Sequence, residues 1–517
     1  MPNTSLLLCV FVSGFALSQL GAQPQTPPGV WTAQYNNDRS GSNLRESILT
    51  TSNVNSKHFG LLFTLPVDEY VYAQPLFIPA LIVNGSQHNV LFVATLKNSV
   101  YAFDADSKNA PLWHVNLGPA ATLSGPRLGS QCGILSTPVI DTIGATLYVV
   151  ALTYESGARI FRLHALDITT GTEKLGGPVM IQASVPGSAP DAKDGMVAFN
   201  AAVQFQRPSL LLNNGTVGVL FGTVDEANLY HGWAMFYNAS TLLQESAFAT
   251  TPNGDKGGIW MSGRGAAADS NGAYFMVGNG SSGNGNYGEG AVRVSQTAMD
   301  FFIPDNTKLL TSNDWDFGAG GPLLIPNTNL LVGGGKTGEV FVLDRTNLGG
   351  YVPGNTQVVQ SWQATAGCPG LASSCHEIHQ TAYWFRTGGN SPLLYVWAWQ
   401  EPLNAYAFNG STFNTTPVAT YPTVANFPGG AMAISANGST SGTGILWATM
   451  TAKNAGGGAV PGTLRAFNAE TLVELWDSNM NPGDSLGLLP KFCEPTVANG
   501  KVYMATFSKV VNVYGLH

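Results

Sequence analysis

Eight short passages of this chain repeat one pattern, in which a small or polar residue and then Pro or Ala precede an apolar run typical of a β-strand. The spacings between successive Pro/Ala positions are 63, 70, 58, 56, 60, 49 and 64 residues. One strand motif per period of about sixty residues predicts a β-propeller with long loops. The passages lie at residues 74–77, 137–140, 207–210, 265–268, 321–324, 381–384, 430–433 and 494–497.

Further β-branched and aromatic runs, separated by Gly, Asn and Asp, bring each repeat to about four strands, which is one propeller blade. The last repeat is one strand short before the chain ends at His517. The segment 60–66 near the N-terminus has the composition of the missing outer strand. Pairing of the two ends would leave no open sheet edge. We therefore predict an all-β, eight-bladed propeller closed by an N-terminal strand, with residues 23–58 as an arm on its outside.

The N-terminus carries an apolar run, 6–12, followed by small residues at Gly21 and Ala22. This run is too short to span a bilayer and is typical of a secretory signal. We expect a signal peptide at 1–22, an N-terminal arm at 23–58 and a propeller at 59–517. The mature chain would be secreted or periplasmic and monomeric, with no membrane span.

Loss of Cys9 with the signal would leave four cysteines. In an oxidising compartment, the short loop between Cys368 and Cys375 predicts a local disulfide. Cys132 and Cys493 each lie just before an inner-strand passage, where they would either pair across the hub or stay buried as thiols. The sequence leaves both alternatives open.

Charged residues make up only 10% of the chain and its net charge is −8. Lys and Arg form no cluster, which argues against nucleic acid as a partner. The many glycines, 61 in all, suit tight turns between short strands better than long surface helices.

A second motif follows the third strand of several repeats. Residues 466–476 read Ala-x-Asn-x-x-Thr-Leu-x-x-x-Trp, 165–171 read Ala-x-Asp-x-x-Thr-Gly, and 102–113 carry the same signature with one extra residue. We interpret the Asp or Asn as a turn residue and the Trp as an apolar plate for the next blade. The spacing resembles the docking repeat of the pyrroloquinoline quinone (PQQ) repeat propellers, the fold of the quinoprotein alcohol dehydrogenases. The resemblance covers about residues 59–516 and implies the fold more firmly than the cofactor.

Residues just before the innermost strands of a propeller converge on one end of its central channel, where a concave surface favours a ligand. We expect a small-molecule or glycan ligand there. The resemblance implies PQQ, with Ca²⁺, as the cofactor. Asp225 and Glu226, which follow a second strand, are expected away from this end. The candidate cofactor-binding residues are Gln74, Arg207, Trp260, Arg264, Lys336, His379 and Glu494.

A quinone with three carboxylates would need cationic partners and a flat stacking surface. Arg207, Arg264 and Lys336 would supply cationic donors, and Trp260 a flat stacking surface. Plainer interpretations stay open, because a hub arginine often binds strand-end carbonyls, Trp260 suits a core and Lys336 lies in a Gly-rich turn.

Glu494 could bind a divalent cation or accept a substrate proton, and His379 could titrate near neutral pH. A loop role for His379 stays open beside this.

Two features depart from working quinoproteins: the chain has no adjacent cysteine pair and no Cys-x-x-Cys-His haem motif, so we expect no haem. Catalytic residues cannot be assigned. Two functions remain in view. The first is a quinone-dependent oxidoreductase acting on alcohol or sugar hydroxyls. The second is a non-catalytic extracellular platform that binds a ligand or a protein.

Overall fold

The structure, a computed structural model, describes residues 28–123, 131–224, 226, 228–295, 298–370, 375–387, 390–489 and 491–517. Within these ranges the strands form eight sheets of four to six strands, together with two small hairpins. Each sheet begins at one of the eight repeated passages and is a blade of an eight-bladed β-propeller. The predicted signal peptide lies outside the described residues.

The first four blades contain the following strands, from the channel outward. Blade 1 comprises Leu76–Val83, Ser86–Ala94, Ser99–Asp104 and Trp113–Asn116. Blade 2 comprises Val139–Asp141, Thr146–Glu155, Ala158–Asp167 and Val179–Met180. Blade 3 comprises Leu211–Asn213 with Gln204–Phe205, then Thr216–Thr223, Trp233–Asn238 and Gln244–Ala249. Blade 4 comprises Ala267–Asp269, Gly272–Met276, Ala291–Val294 and Met299–Ile303, with Gly350–Tyr351 added at its outer edge.

The other four blades follow the same order. Blade 5 comprises Leu323–Leu324, Leu330–Gly334, Glu339–Asp344 and Gln360–Gln363. Blade 6 comprises Thr381–Trp384, Leu393–Val396, Leu403–Ala407 and Ala419–Tyr421. Blade 7 comprises Ala431–Ser435, Ile445–Thr451, Val460–Asn468 and Glu474–Asp477; Leu488–Leu489 pairs with its third strand, and Ser42–Asn43 of the arm pairs parallel with its first. Blade 8 comprises Thr496–Ala498, Lys501–Ala505, Val510–Leu516 and Phe59–Pro66. A short α-helix, Thr307–Asn313, precedes blade 5.

Blade 8 is closed as the sequence predicts. Phe59–Pro66 pairs antiparallel with Val510–Leu516, from Phe59 opposite Leu516 to Pro66 opposite Val510. The two ends of the propeller therefore share one sheet. This pairing gives the last C-terminal strand a neighbour and joins the ring without an open edge between the first and last repeats.

Tryptophans of the second motif fill the seams between blades. Trp113 of blade 1 donates its indole N–H to the carbonyl of Ile168 in blade 2 at 3.0 Å. Trp476 of blade 7 packs edge-on against Phe59 and Tyr514 of blade 8, with ring centroids 4.9 and 5.6 Å apart. These contacts confirm that the motif residues join neighbouring blades.

The path of the N-terminal arm differs from the prediction, because residues 30–43 run inside the ring rather than on its outside. Carbonyl oxygens of the arm accept hydrogen bonds from N–H groups of the inner strands, which are the exposed edges of the blades. The pairs include Val30 with Phe77 at 2.9 Å and Ser40 with Tyr383 at 2.8 Å. The other acceptors are Trp31, Asn37, Asp38, Gly41 and Asn43. Each inner strand otherwise leaves one row of backbone groups unpaired along the channel, and the arm pairs some of these groups in each blade.

Arg39 anchors the arm at the axis and is fully buried. Its guanidinium donates to the carbonyls of Ala266 in blade 4 at 2.8 Å and Leu210 in blade 3 at 3.2 Å, and to Thr32 and Ala33 of the arm itself. Blade 8 contributes the N–H of Val497, which donates to the Tyr35 hydroxyl at 2.8 Å. The arm thus contacts all eight blades by hydrogen bonds.

The arm leaves the channel at the end opposite the repeated passages. Glu46 accepts the N–H of Gly500 at 3.0 Å, and Thr51 donates to the carbonyl of Gly442 at 2.6 Å. Both glycines lie in turns that follow inner strands, so they mark the far end of the channel. The arm therefore passes out of the channel at the end where the inner strands finish, beside the turns of blades 7 and 8. In the part of the chain that the structure describes, no helix is long and apolar enough to cross a membrane.

Candidate functional site at the channel mouth

The channel mouth is the end at which the inner strands begin. Because neighbouring strands of a blade are antiparallel, the loop after each second strand returns to this same end. Glu226 follows the second strand of blade 3 and lies within electrostatic range of Asp314, Asp316 and Lys336. The expectation that this loop lies away from the mouth is therefore wrong for Glu226; Asp225 lies outside the described residues.

Trp260 forms one wall of the mouth. Its ring packs so closely on the backbone of blade 3 that a Cβ on Gly222 would lie 2.9 Å from the indole. Arg207 covers the ring, with its guanidinium carbon 5.4 Å from the Trp260 centroid and 5.0 Å from that of Phe492. The mouth thus brings together a flat aromatic surface and a cation, an arrangement that favours planar anions.

Lys336 lies at the centre of an acidic cluster. Its ammonium contacts Asp316 Oδ2 at 2.7 Å and Asp314 Oδ2 at 2.9 Å. Burial lowers the pKa of Lys336, but the two carboxylates raise it by more, so the ammonium stays charged across the physiological range. Asp316 is buried, whereas the Asp314 side chain is 49% exposed. Asp314 is therefore the carboxylate within reach of a ligand.

Asn279 joins this cluster from the loop after the second strand of blade 4. Its backbone N–H donates to Asp316 Oδ1 at 2.8 Å, and its side-chain amide donates to Asp314 Oδ1 at 2.5 Å. The amide oxygen of Asn279 is buried and has no hydrogen-bond partner among the described residues. A buried acceptor without a donor is costly and marks a place for a cation or water. We call Asn279, Asp314, Asp316 and Lys336 the mouth cluster.

His379 packs against Phe492, with ring centroids 5.0 Å apart, and Phe492 and Trp260 both contact Arg207. Its Nε2 is 2.9 Å from the Glu377 carboxylate, and its Nδ1 is 2.9 Å from the carbonyl oxygen of Pro428. A cavity of about 10 Å³ beside His379 and Gln380 has room for roughly one water. His379 is thus a buried, paired side chain at the rim.

Three of the candidate residues lie deeper, against the arm. Gln74 Oε1 accepts the N–H of Gln34 at 2.9 Å, and Arg264 donates to the carbonyls of Thr381 and Arg39 at 2.5 and 2.6 Å. Glu494 is buried and accepts a hydrogen bond from Gln380 at 3.3 Å. The structure therefore brings Arg207, Trp260, Lys336 and His379 to the mouth, and Gln74, Arg264 and Glu494 to a buried layer beneath it.

The described cysteines include one disulfide pair and two free thiols. Cys368 and Cys375 form the predicted disulfide, in the segment that packs on the hairpin of Lys336. Cys132 and Cys493 are buried free thiols, which resolves the alternative left open by the sequence. Burial raises the pKa of Cys132 to about 12 and that of Cys493 well above its usual range, so neither is a reactive thiolate.

Comparison with known proteins identifies the architecture. No protein-family model matches the chain, and no curated protein matches it in sequence. Among solved structures, the quinohemoprotein alcohol dehydrogenase of Comamonas testosteroni is similar with a TM-score of 0.54 at 14% identity, covering 94% of this chain and 80% of that one. The chain has the propeller fold of the quinoprotein alcohol dehydrogenases.

Two further structures support the same fold. The quinohemoprotein alcohol dehydrogenase ADHIIG of Pseudomonas putida is similar with a TM-score of 0.53 at 14% identity, covering 95% of this chain and 80% of that one. A europium-containing methanol dehydrogenase is similar with a TM-score of 0.53 at 13% identity, and the alignment covers 95% of this chain and 98% of that one. The quinoprotein-type propeller predicted from the repeats is therefore confirmed at the level of fold.

Proposed function

We propose that this protein is a secreted or periplasmic, monomeric oxidoreductase that uses PQQ and a divalent cation to oxidise alcohol or sugar hydroxyls. The observation that carries the proposal is the mouth cluster, in which two carboxylates, a lysine and an unpartnered amide oxygen converge beside Trp260. The solved structures with this fold include enzymes described as quinohemoprotein alcohol dehydrogenases and a methanol dehydrogenase.

The donor set of the mouth cluster fits a hard divalent cation. Ca²⁺ prefers carboxylate and amide oxygens, and Asn279 Oδ1 with the Asp316 carboxylate supplies both types. Glu226 and Glu377 add negative charge within range of the same lysine. The ammonium of Lys336 offsets the negative charge of Asp314 and Asp316. An incoming cation would therefore share the two carboxylates with Lys336.

The walls of the mouth fit a planar polyanion. Arg207 and Lys336 would bind carboxylate or carbonyl oxygens by charge-assisted hydrogen bonds, and Trp260 would stack on the ring. A bound quinone would supply the two-electron acceptor, and the cation would polarise its carbonyl. Asp314, the exposed carboxylate of the cluster, would accept the proton of the substrate hydroxyl while the substrate carbon gives up its hydride. The product would be an aldehyde or ketone.

A second function, a non-catalytic binding platform, is favoured by one contact. Arg207 lies over Trp260, on the surface where a tricyclic ring would stack. The chain also has no two cysteines adjacent in sequence. On this interpretation the mouth holds an extended anionic ligand or a protein loop and has no turnover.

Dye reduction tests the proposal. Purified protein loaded with PQQ and Ca²⁺ should reduce an artificial electron acceptor when ethanol or glucose is added. The variant Asp314→Asn should keep PQQ binding and lose turnover, because its amide cannot accept the proton. Asp305→Asn is the control, since Asp305 follows the outer strand of blade 4 and bonds to Gly354 and Asn355. Quinone binding without turnover in the wild type would favour the platform, and equal turnover in both variants would exclude Asp314 as the base.

A further inference from the structure

Glu289 is a buried carboxyl beside the mouth cluster, in a backbone conformation that residues other than glycine seldom adopt. It is fully buried and has a left-handed φ of 56°. Both neighbours must be glycine: a Cβ on Gly288 would lie 2.3 Å from the carbonyl oxygen of Gly280, and one on Gly290 would lie 2.7 Å from that of Phe302. A non-glycine residue in this conformation inside a core is rare and strained, so the surrounding contacts must stabilise it.

Those contacts join the loop that carries Asn279 to the loop that carries Asp316. The Glu289 N–H donates to the carbonyl of Gly278, next to Asn279, at 3.0 Å. Its Oε2 accepts the N–H of Phe317, next to Asp316, at 2.7 Å. Its Oε1 accepts a hydrogen bond from the Thr311 hydroxyl at 3.4 Å, on the helix that leads to Asp314. One side chain therefore links blade 4 to the segment before blade 5.

We propose that Glu289 is a positioning residue that holds the Asn279 loop and the Asp316 loop together so that their oxygens converge on one cation. The inference rests on the proposed function in taking the mouth cluster as a cation site. It goes further because Glu289, which would not itself bind the cation, is assigned the role of holding the cation ligands in place. Residues in this supporting position typically affect metal affinity by about 10- to 100-fold.

The chain offers a matched control in Glu46. This glutamate is also buried and also accepts backbone N–H groups, from Ile48 at 2.7 Å and Gly500 at 3.0 Å. It lies at the far end of the channel, where the arm leaves. Loss of its carboxyl should lower stability without changing the mouth cluster.

The test measures Ca²⁺ affinity by calorimetry in the full-length wild type and in three variants. Glu289→Ala should weaken binding by about tenfold or more, because the Phe317 N–H loses its acceptor. Glu289→Gln should restore affinity to within about threefold of wild type, since its amide oxygen accepts the same N–H. Glu46→Ala should bind Ca²⁺ as the wild type does. Equal affinity in Glu289→Ala and wild type, or equal losses in Glu289→Ala and Glu46→Ala, would overturn the inference.

Hydrogen exchange separates this inference from the proposed function. In Glu289→Ala the amides of residues 279–281 and 315–318 should exchange faster than in the wild type, with Glu289→Gln restoring protection. A wild type that binds no Ca²⁺ would contradict the proposed cation site, and exchange would still decide whether Glu289 links the loops. Unchanged exchange in Glu289→Ala would contradict the positioning role on its own.

Discussion

The guanidinium of Arg264 donates a hydrogen bond of 2.6 Å to the main-chain carbonyl of Arg39. Arg39 belongs to the arm and Arg264 precedes the inner strand of blade 4, so this bond joins the arm inside the channel to the layer beneath the mouth. Both side chains are fully buried. The floor of the candidate site is therefore made by the N-terminal segment, which is part of the ring's interior.

Replacing Arg39 tests the role of the arm. Arg39→Ala removes the donors that satisfy the buried carbonyls of Ala266, Leu210 and Ala33. Each buried acceptor left unpaired costs about 1–3 kcal/mol, so we expect the free energy of unfolding to fall by about 3 kcal/mol or more. Urea denaturation measures the loss. The exposed Arg45 of the same arm is the control, and Arg45→Ala should change stability by less than about 0.5 kcal/mol. Similar midpoints for the two variants would show that the arm adds little to the ring.

Ionisation of the Glu494 carboxyl predicts that the stability of the folded protein depends on pH. Burial raises the pKa of this carboxyl, and Arg264 and Arg39 offset only part of the effect. A raised native pKa means that the folded protein holds a proton longer than the unfolded chain, so stability falls as pH rises above the unfolded value of about 4.3 towards the native pKa.

Glu494→Gln has no carboxyl to ionise, so its stability relative to wild type should increase as the pH rises above the unfolded-state pKa of about 4.3. Unfolding curves of both proteins at several pH values give this difference. A difference that stays flat or falls with pH would show that the two arginines more than compensate for burial.

Cysteine mapping checks the predicted redox states. Native protein treated with an alkylating agent should leave Cys132 and Cys493 unmodified, because both thiols are buried. After unfolding without reductant, these two cysteines should be alkylated and Cys368 and Cys375 should appear in one linked peptide. Peptide mass spectrometry gives the assignment. A Cys132–Cys493 cross-link would contradict the structure.

Arg207 distinguishes the two proposed functions. If its guanidinium binds a carboxylate of PQQ, Arg207→Ala should weaken PQQ binding by about 10- to 100-fold, the worth of a charge-assisted hydrogen bond. If it blocks the face of Trp260, the same variant should bind PQQ more tightly. Titration of PQQ into the wild type and Arg207→Ala in Ca²⁺ buffer shows whether the affinity falls or rises. Arg386→Ala, which removes the cation over Trp384 in blade 6, is the control.

The ring was predictable because its signals are local and repeated. Each passage carries its own Pro or Ala and its own apolar strand, and segment 60–66 matches the strand that the last repeat lacks. The arm was not predictable in the same way. Residues 34–40 are polar and show no strand pattern, and their hydrogen bonds are to inner strands far away in the sequence, such as Ala268 for Asn37.

The mouth cluster was only partly predictable, since Lys336 was identified and Asp314, Asn279 and Asp316 were not. The last two residues come from neighbouring blades and are 37 positions apart, a spacing with no local motif. Strand direction was the usable signal. Loops after second strands share the mouth with residues before inner strands, which places Asn279 and Lys336 on the same side.

Calorimetric titration of PQQ into the Ca²⁺-loaded protein tests the central claim, that the mouth cluster is a quinone and cation site. We predict saturable binding of about one PQQ per chain in the wild type, weakened at least about tenfold in Asp316→Asn and unchanged in Asp305→Asn. Absence of binding in the wild type with Ca²⁺ present, or equal binding in wild type and Asp316→Asn, would contradict it.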